Sequence, residues 1–264
     1  MSLRSLFASA FTRKPPVQAS VHVPEHVPPG SSVHTTTGCA RHGHPEFQVR
    51  VSRPAVPAED IAWLLQFFET RVAQGETFRS GESLQVGWMF TMLQEESPGG
   101  MLRVLEPDMQ AVPVRFVDAA DATLLHLRTQ QDIVRSLSSP QGLEPDFPSL
   151  RQSVVVHLDY RQARRILLTR SAPVDALDSG WWLTDLDDEA GAQDPTRFSK
   201  TSLYQLGVDR PDLVKFFAVP VGLQVFVDGA RIGVLGPESE VPQIPGSYLD
   251  QLNALRASHA AASG

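Results

Sequence analysis

Two adjacent tryptophans directly precede the densest acidic run of the chain. Trp181 and Trp182 stand in DSGWWLTDLDDE, and the acids of this run and its continuation are Asp185, Asp187, Asp188, Glu189 and Asp194. Carboxylates at this density suit a metal site, a catalytic rim or a surface for a basic protein. A solvated loop at the end of a strand is the fourth interpretation.

The pattern GWWLTDL predicts a strand, and a strand would point the two indoles to opposite faces. One tryptophan then fills the core while the other lies outward beside the carboxylates. An exposed indole next to acids is typical of a protein-binding hot spot, where aromatic residues anchor and charge steers encounter. Alternatively both indoles are buried, one by each layer, and the acids are simply solvated. Residue types alone leave both interpretations open.

A second cluster of reactive side chains lies in HTTTGCARHGHPEF, which contains His34, Cys39, His42 and His44. Thiolate and imidazole are the ligands that zinc prefers, but a structural site needs four ligands with a second pair held elsewhere. Cys39 is the single cysteine of the chain, so we predict no metal site and no cofactor. Cys39 with His42 is also disfavoured as a nucleophile and base, because such pairs come from separate elements and need an orienting third group.

Other catalytic motifs are missing from the sequence. GARIGVLG belongs to a predicted hairpin rather than a phosphate-binding turn, and DSGW lacks the glycine that precedes a nucleophilic serine by two positions. The carboxylates Glu95, Glu96, Glu106 and Asp108 are interpreted as turn residues rather than a catalytic dyad. The sequence therefore predicts a protein that is not an enzyme. An enzyme with an unrecognised site, using Cys39, His42, Glu106 or Asp108, stays open as an alternative.

Composition narrows the kinds of partner. The chain has 264 residues and a formal net charge of −7, which disfavours nucleic acid and favours a basic protein partner. A single cysteine excludes an internal disulfide framework and fits a reducing compartment, so a cytoplasmic location is expected. No apolar run approaches the roughly 18 residues that span a bilayer, and no membrane interaction is predicted.

Proline and glycine spacing predicts the domain organisation. Residues 1–43 are predicted to be a disordered or extended leader rather than an export signal, because prolines between Pro15 and Pro29 favour extended or unstructured chain to about residue 37. Residues 44–142 are predicted to form an N-terminal α+β domain and residues 150–240 a C-terminal α+β domain. Residues 241–264 are predicted to be a terminal helix and tail.

Hydrophobic periodicity predicts an α+β fold of two small domains of antiparallel sheet with a few packing helices. Strands are predicted over residues 47–51, 83–93, 101–106, 112–117, 153–158, 163–171 and 180–186. Helices are predicted over 57–75, 118–139, 200–220 and 246–261, with Asp209 as a cap inside the third. A tight hairpin is predicted at Asp228–Gly229, between two alternating runs.

The C-terminal half resembles a known family. DSGWWLTDLDDE followed by VPVGLQVFVDG resembles the bacterial toxin-immunity domain called immunity protein thirty-three, over roughly residues 150–235. Asp178, Ser179, Gly180 and Trp181 match the family core, and Pro220 and Gly222 match a later element. Trp182 and the following LTDLDDE depart from the usual Phe-Phe-Ser-Gly-Asp-Glu type of run.

The resemblance implies a protein without catalytic activity that binds and neutralises a cognate toxin in bacterial competition. On this hypothesis Asp185, Asp187, Asp188 and Glu189 face the toxin, with Trp182 as a candidate anchor, while Gly180 and Trp181 hold the strand and its turn. An adaptor protein of a secretion system is a further alternative, and its exposed patch should be apolar rather than acidic.

Overall fold

The computed structural model describes residues 11–14, 20–21, 30–52, 55–139 and 142–263, and it confirms the α+β class. The chain divides into two compact units, Met1–Arg128 and Thr129–Gly264. The α-helices of the described part are α1 (Ala58–Ala73), α2 (Asp121–Arg135), α3 (Leu203–Asp209) and α4 (Tyr248–Ser263). Helix α2 begins in the first unit and ends in the second. None of the helices in these ranges is long and apolar enough to cross a membrane.

The first unit contains an eight-stranded mixed sheet. Its strands are β1 (Phe11–Lys14), β2 (Ser20–Val21), β3 (Ser32–Thr35), β4 (Phe47–Val51), β5 (Ser83–Val86), β6 (Met89–Glu95), β7 (Leu102–Pro107) and β8 (Arg115–Val117). Six strands follow the order β1-β5-β6-β7-β4-β3, and β8 pairs with both β7 and β2. The pairs β4–β7 and β2–β8 are parallel, so the sheet is not purely antiparallel. Two strands thus fall within residues 1–29, and the other positions of that segment lie outside the described residues.

Helix α1 closes the core of the first unit with the face that its sequence predicts. Ile61, Leu64, Phe68 and Val72 recur at helical spacing and are all buried. Phe68 stacks on Phe47 of β4, with ring centroids 4.0 Å apart. The amphipathic pattern therefore specified both the helix and its packing.

The prediction of one strand over residues 83–93 is wrong. The chain instead turns at Gly87 and Trp88, so that β5 and β6 form an antiparallel hairpin in which Val86 pairs with Met89. Gly87 has a φ of 60°, a value that glycine adopts without a steric penalty. Trp88 lies in this turn and is fully buried.

The second unit contains a six-stranded mixed sheet in the order β12-β9-β11-β10-β13-β14. Its strands are β9 (Ser153–His157), β10 (Ile166–Arg170), β11 (Asp178–Asp185), β12 (Phe198–Ser202), β13 (Gln224–Val227) and β14 (Ile232–Leu235). Neighbours are antiparallel except β9 and β11, which run parallel. The segment DSGWWLTD is therefore a central strand, β11.

One face of this sheet forms the core of the second unit. Val154, Val156, Ile166, Leu168 and Leu183 point into it and are buried. The covering layer includes α3 and the 3-10 helix Pro211–Phe216, whose buried residues are Leu203, Tyr204, Leu206, Gly207, Leu213, Val214 and Phe216. Burial of the apolar side chains in these two layers supplies the main driving force for folding of the unit.

The segment predicted as a helix over residues 200–220 differs from the prediction at its start. Residues up to Ser202 belong to β12, and the Ser202 side chain caps α3 by accepting the N–H of Gln205 at 3.0 Å. Asp209 is not the cap of the following helix. Its carboxylate instead accepts the hydroxyl of Tyr160 and pairs with Arg161 at 2.9 Å.

The hairpin predicted around Asp228 is confirmed, although its loop is longer than the sequence indicated. Val227 pairs with Ile232, so four residues connect the strands. The Asp228 side chain accepts the N–H groups of Ala230 and Arg231 at 2.9 and 2.7 Å. An aspartate that satisfies two loop amides stabilises this wider turn.

Candidate partner-binding surface

The DSGW segment begins strand β11 through a set of short-range hydrogen bonds. The Ser179 hydroxyl donates to the Ser153 carbonyl at 2.7 Å and accepts the Trp181 N–H at 3.2 Å. The Asp178 carboxylate accepts the Gly180 N–H at 3.1 Å. The pairing of β11 with β9 shifts register between Asp178 and Trp182. These bonds hold the irregular start of the strand.

Gly180 allows the neighbouring backbone to come unusually close. Its φ is 74°, and a Cβ atom at this position would lie 2.0 Å from the Ser171 carbonyl oxygen. Its own carbonyl accepts the Ser171 N–H at 2.9 Å. A side chain here would therefore force β10 and β11 apart at their connection.

Trp181 is a core residue, with 1% of its surface exposed. Its indole N–H donates to the Phe217 carbonyl at 3.0 Å, and the Arg170 guanidinium lies 5.2 Å from the ring centroid. Because a buried indole N–H needs an acceptor, the Phe217 bond fixes the ring against the helical layer.

Pro220 and Gly222 occupy the loop that leads into β13. The Gly222 N–H donates to the Arg170 carbonyl at 2.8 Å, and the Leu223 N–H donates to the Pro220 carbonyl at 3.3 Å. Gly222 has a φ of 90°. The loop is thereby joined to the end of β10, beside the start of β11.

Trp182 points to the opposite face of the sheet and is 39% exposed. Its ring lies against Phe198 of β12, with centroids 4.8 Å apart. Other apolar residues of this face are also partly exposed: Val155, Leu167 and Phe226. Trp182 and Phe198 therefore form an aromatic pair on a sheet face that is partly exposed.

The carboxylates of the acidic loop that follows β11 differ in their exposure and in their partners. Asp185 is only 7% exposed, and its carboxylate accepts the N–H of Asp187 at 2.9 Å. Its side chain thus closes the turn and presents little surface to a partner. Asp187 is exposed and lies 3.5 Å from Arg165. Glu189 is exposed and has no hydrogen-bond or ion-pair partner in the described part of the chain.

Asp188 connects the loop to the sheet. It accepts the Gly191 N–H at 2.9 Å and lies 3.3 Å from the Arg197 guanidinium and 3.2 Å from His157 Nε2. The Gly191 bond, followed by Arg197 and His157, holds the pKa of the Asp188 carboxyl below its ordinary value. Part of the loop charge is consequently neutralised within the protein.

His157, Asp159 and Asp188 form the one trio of metal-type ligands among the described residues, with ligand atoms within 4.8 Å of one another. Arg197 already lies between the two carboxylates, 2.6 Å from Asp159 and 3.3 Å from Asp188. His157 Nδ1 accepts the Asp159 N–H at 3.3 Å, which leaves the proton of the neutral ring on Nε2, facing Asp188. A metal at Nε2 would need the proton there to leave, and Arg197 already pairs with both carboxylates, so we interpret the trio as part of an internal charge network.

The side chains of the His and Cys cluster serve the fold of their loop. His44 Nε2 accepts the Phe78 N–H at 2.9 Å, and the Cys39 thiol donates to the Thr36 hydroxyl at 3.6 Å. Burial raises the pKa of the Cys39 thiol to about 11, so it stays protonated at neutral pH. His34 and His42 do not join them in a metal-type group within the described ranges.

Glu106 and Asp108 also have structural partners. Glu106 is buried and accepts the N–H groups of Ala122 and Thr123 at 3.1 and 2.7 Å, at the start of α2. Asp108 pairs with Arg115 at 2.6 Å. The two carboxylates serve different contacts and form no shared site.

In comparisons with known proteins, part of the chain matches one family model. Residues 129–235 match the Imm33-like domain. The match lies within the second unit and includes β9 to β14, with both the DSGW segment and the acidic loop. No curated protein and no solved structure matches the chain significantly.

Sequence reasoning missed several residues of this surface. Three residues contact Trp182 or Asp188 but lie outside the DSGW segment and its acidic loop: Phe198 of β12, Arg197 directly before it, and His157 of β9. The run FSKTS has one apolar residue in five, so its periodicity was too weak to indicate a strand beside β9. Only the strand order brings these residues together.

Proposed function

We propose that the C-terminal unit is a non-catalytic immunity domain that binds and neutralises a cognate bacterial toxin. The observation that carries the proposal is the match of residues 129–235 to the Imm33-like domain. This match indicates an immunity-protein family, whose members bind toxin partners. The proposal includes a cytoplasmic location, which suits the single cysteine.

The proposed contact surface comprises the aromatic pair and the acidic loop beside it. Trp182 supplies an exposed indole, and Asp187, Asp188 and Glu189 supply carboxylates that would complement a basic toxin. Asp185 contributes by closing the turn that presents the loop. The DSGW residues, Pro220 and Gly222 hold the strands from which this surface extends.

Co-expression with the toxin encoded beside this chain in the genome tests the proposal. We expect growth of a sensitive bacterial host to be restored, and the purified proteins to bind at a one-to-one ratio by calorimetry. Neutralisation at far below one-to-one would instead show enzymatic inactivation of the toxin. Absence of both rescue and binding would reject the immunity assignment for that toxin.

Trp182→Ala tests the proposed anchor. Loss of a central aromatic contact should raise the Kd for the toxin about tenfold or more, whereas Leu255→Ala, at an exposed leucine of α4, should change it less than about threefold. Both variants must keep the wild-type circular dichroism and Tm. Equal affinities of the two folded variants would remove Trp182 from the contact surface.

A further inference from the structure

The six-stranded sheet has two end strands, and the residues that the structure describes cover only one of them. At the β14 end, the Val241 N–H donates to the Val234 carbonyl at 2.8 Å, and Asn253 of α4 bonds to both the N–H and the carbonyl of Ile232 at 2.8 Å. At the other end, β12 pairs with β9 and with no further strand of the described residues. Within the described ranges, the sheet therefore ends at β12.

The hydrogen-bond register shows which backbone groups of β12 face outward. Residues pair antiparallel from Phe198 opposite His157 to Ser202 opposite Ser153. The ladder continues at both ends, through Leu158 N–H to the Arg197 carbonyl and Leu203 N–H to the Gln152 carbonyl, each 2.8 Å. Bonded pairs alternate in such a ladder, so Ser199 and Thr201 bond to β9.

Lys200, which lies between them, and Phe198 and Ser202 on either side direct backbone groups away from the sheet. The outward groups are the Lys200 N–H and carbonyl, the Phe198 carbonyl and the Ser202 N–H. The Phe198 N–H is already used, because it donates to the Pro195 carbonyl. Four groups with the spacing of a strand edge thus have no backbone partner in the described part of the chain, and such an edge is a template for another strand.

Side chains leave this edge accessible on both faces. Ser199 and Lys200 point to opposite faces and both are exposed. The Lys200 ammonium has no hydrogen-bond or ion-pair partner among the residues that the structure describes. Arg197, directly before β12, contacts Asp188, so the edge continues into the acidic loop.

We propose that an extended segment of the toxin binds along β12 and becomes a seventh strand of this sheet. The inference rests on the proposed function and names the chemistry of its interface. Backbone hydrogen bonds to Lys200, Phe198 and Ser202 supply the register. A carboxylate side chain of the incoming strand faces Lys200, and an apolar side chain packs on the pair Trp182 and Phe198.

A second copy of this chain is a poorer occupant of the edge. Pairing the whole of β12 antiparallel with its own copy would place Lys200 directly opposite Lys200, and like charges in that position are destabilising. An outward-facing lysine on an edge strand is a known protection against self-association. Lys200 therefore favours a different, acid-bearing strand.

Replacement of Lys200 by proline or alanine separates backbone pairing from side-chain contact. Lys200→Pro removes an N–H that points away from β9, which an edge strand tolerates, and it places a ring where the toxin strand would lie. We expect its Kd for the toxin of the neighbouring gene to rise about tenfold or more. Lys200→Ala keeps the N–H and should raise the Kd less than about fivefold.

Equal Kd values for folded Lys200→Pro and Lys200→Ala would overturn the added strand while wild-type neutralisation still supports the immunity function. Failure of the wild-type protein to bind would reject both. If Lys200→Pro unfolds, residue-resolved amide exchange on the wild-type complex decides. The Lys200 and Ser202 amides should exchange fast in the free protein and slowly in the complex. Exchange that does not change in the complex would reject a toxin strand at this edge. So would a wild-type dimer that Lys200→Pro dissociates, because the edge would then be occupied by a second copy.

Discussion

Gly180 is the position of the DSGW segment where a side chain has least room. A Cβ there would lie 2.0 Å from the Ser171 carbonyl oxygen, and the φ of 74° adds backbone strain. We expect Gly180→Ala to lower the free energy of unfolding by about 2–4 kcal/mol. Urea unfolding followed by tryptophan fluorescence measures this.

Gly222→Ala is the matched control for that substitution. Gly222 also has a positive φ, of 90°, but a Cβ there meets no atom within 4 Å. Because only backbone strain opposes this alanine, Gly222→Ala should lower the free energy of unfolding by about 1 kcal/mol. Equal losses for the two variants would contradict the close approach of β10 to β11 at Gly180.

The individual carboxylates show the limit of inference from residue types. Asp185 and Asp187 are two positions apart in the same acidic run, yet one is buried in its turn and the other is exposed. Strand alternation separated Trp181 from Trp182 because the sheet has one buried face. Beyond the end of the strand, alternation stops, and the direction of each carboxylate depends on local hydrogen bonds.

At the scale of elements, the sequence identified most strands and helices but missed the turn between β5 and β6 and the strand β12. In residues 83–93 the even positions stay apolar on both sides of Gly87, as in one strand, although Val86 pairs with Met89 and the side chains therefore change face at the turn. Both β5 and β6 are largely buried on both faces, so apolar residues occur on both faces and the change of face at the turn leaves no break in the pattern. The long-range pairs, such as β9 with β12, leave no local signal at all.

The start of helix α2 has a buried carboxylate from another element. Glu106 of β7 accepts two amides of the first helical turn, which satisfies N–H groups that a helix leaves open. Burial raises the pKa of the Glu106 carboxyl from its ordinary value of 4.5 to about 7. The folded protein therefore binds a proton more tightly than the unfolded chain does.

This shift predicts a specific pH dependence of stability. The contribution of the protonated carboxyl is full below pH 4.5 and is lost as the pH rises through about 7. Relative to Glu106→Gln, the wild-type free energy of unfolding should fall by about 1–3 kcal/mol between pH 4.5 and pH 8. Glu144→Gln, at an exposed carboxylate, is the control, and parallel pH profiles of wild type and Glu106→Gln would contradict the shift.

At the scale of the whole molecule, the family match covers the second unit up to β14 and leaves the first unit without an assigned role. The net charge of −7 belongs to the complete chain, whereas the proposed surface is local to one end of one sheet. Overall charge and local charge make different predictions for toxin binding. Long-range attraction acts mainly on the association rate and is screened by salt.

Two charge reversals distinguish the contribution of the acidic loop to the association rate from that of the overall net charge. Glu189→Lys lies in the acidic loop, and Glu238→Lys is exposed beyond β14, at the opposite end of the same sheet. Each changes the net charge by two units. If the loop guides a basic toxin, Glu189→Lys should lower the association rate at 50 mM NaCl about tenfold, as roughly 500 mM NaCl does for wild type, and Glu238→Lys less than about threefold. Stopped-flow fluorescence measures both association rates. Equal effects of the two variants would assign the attraction to the charge of the whole molecule. Association rates that do not depend on salt would show that the toxin is not recognised through charge.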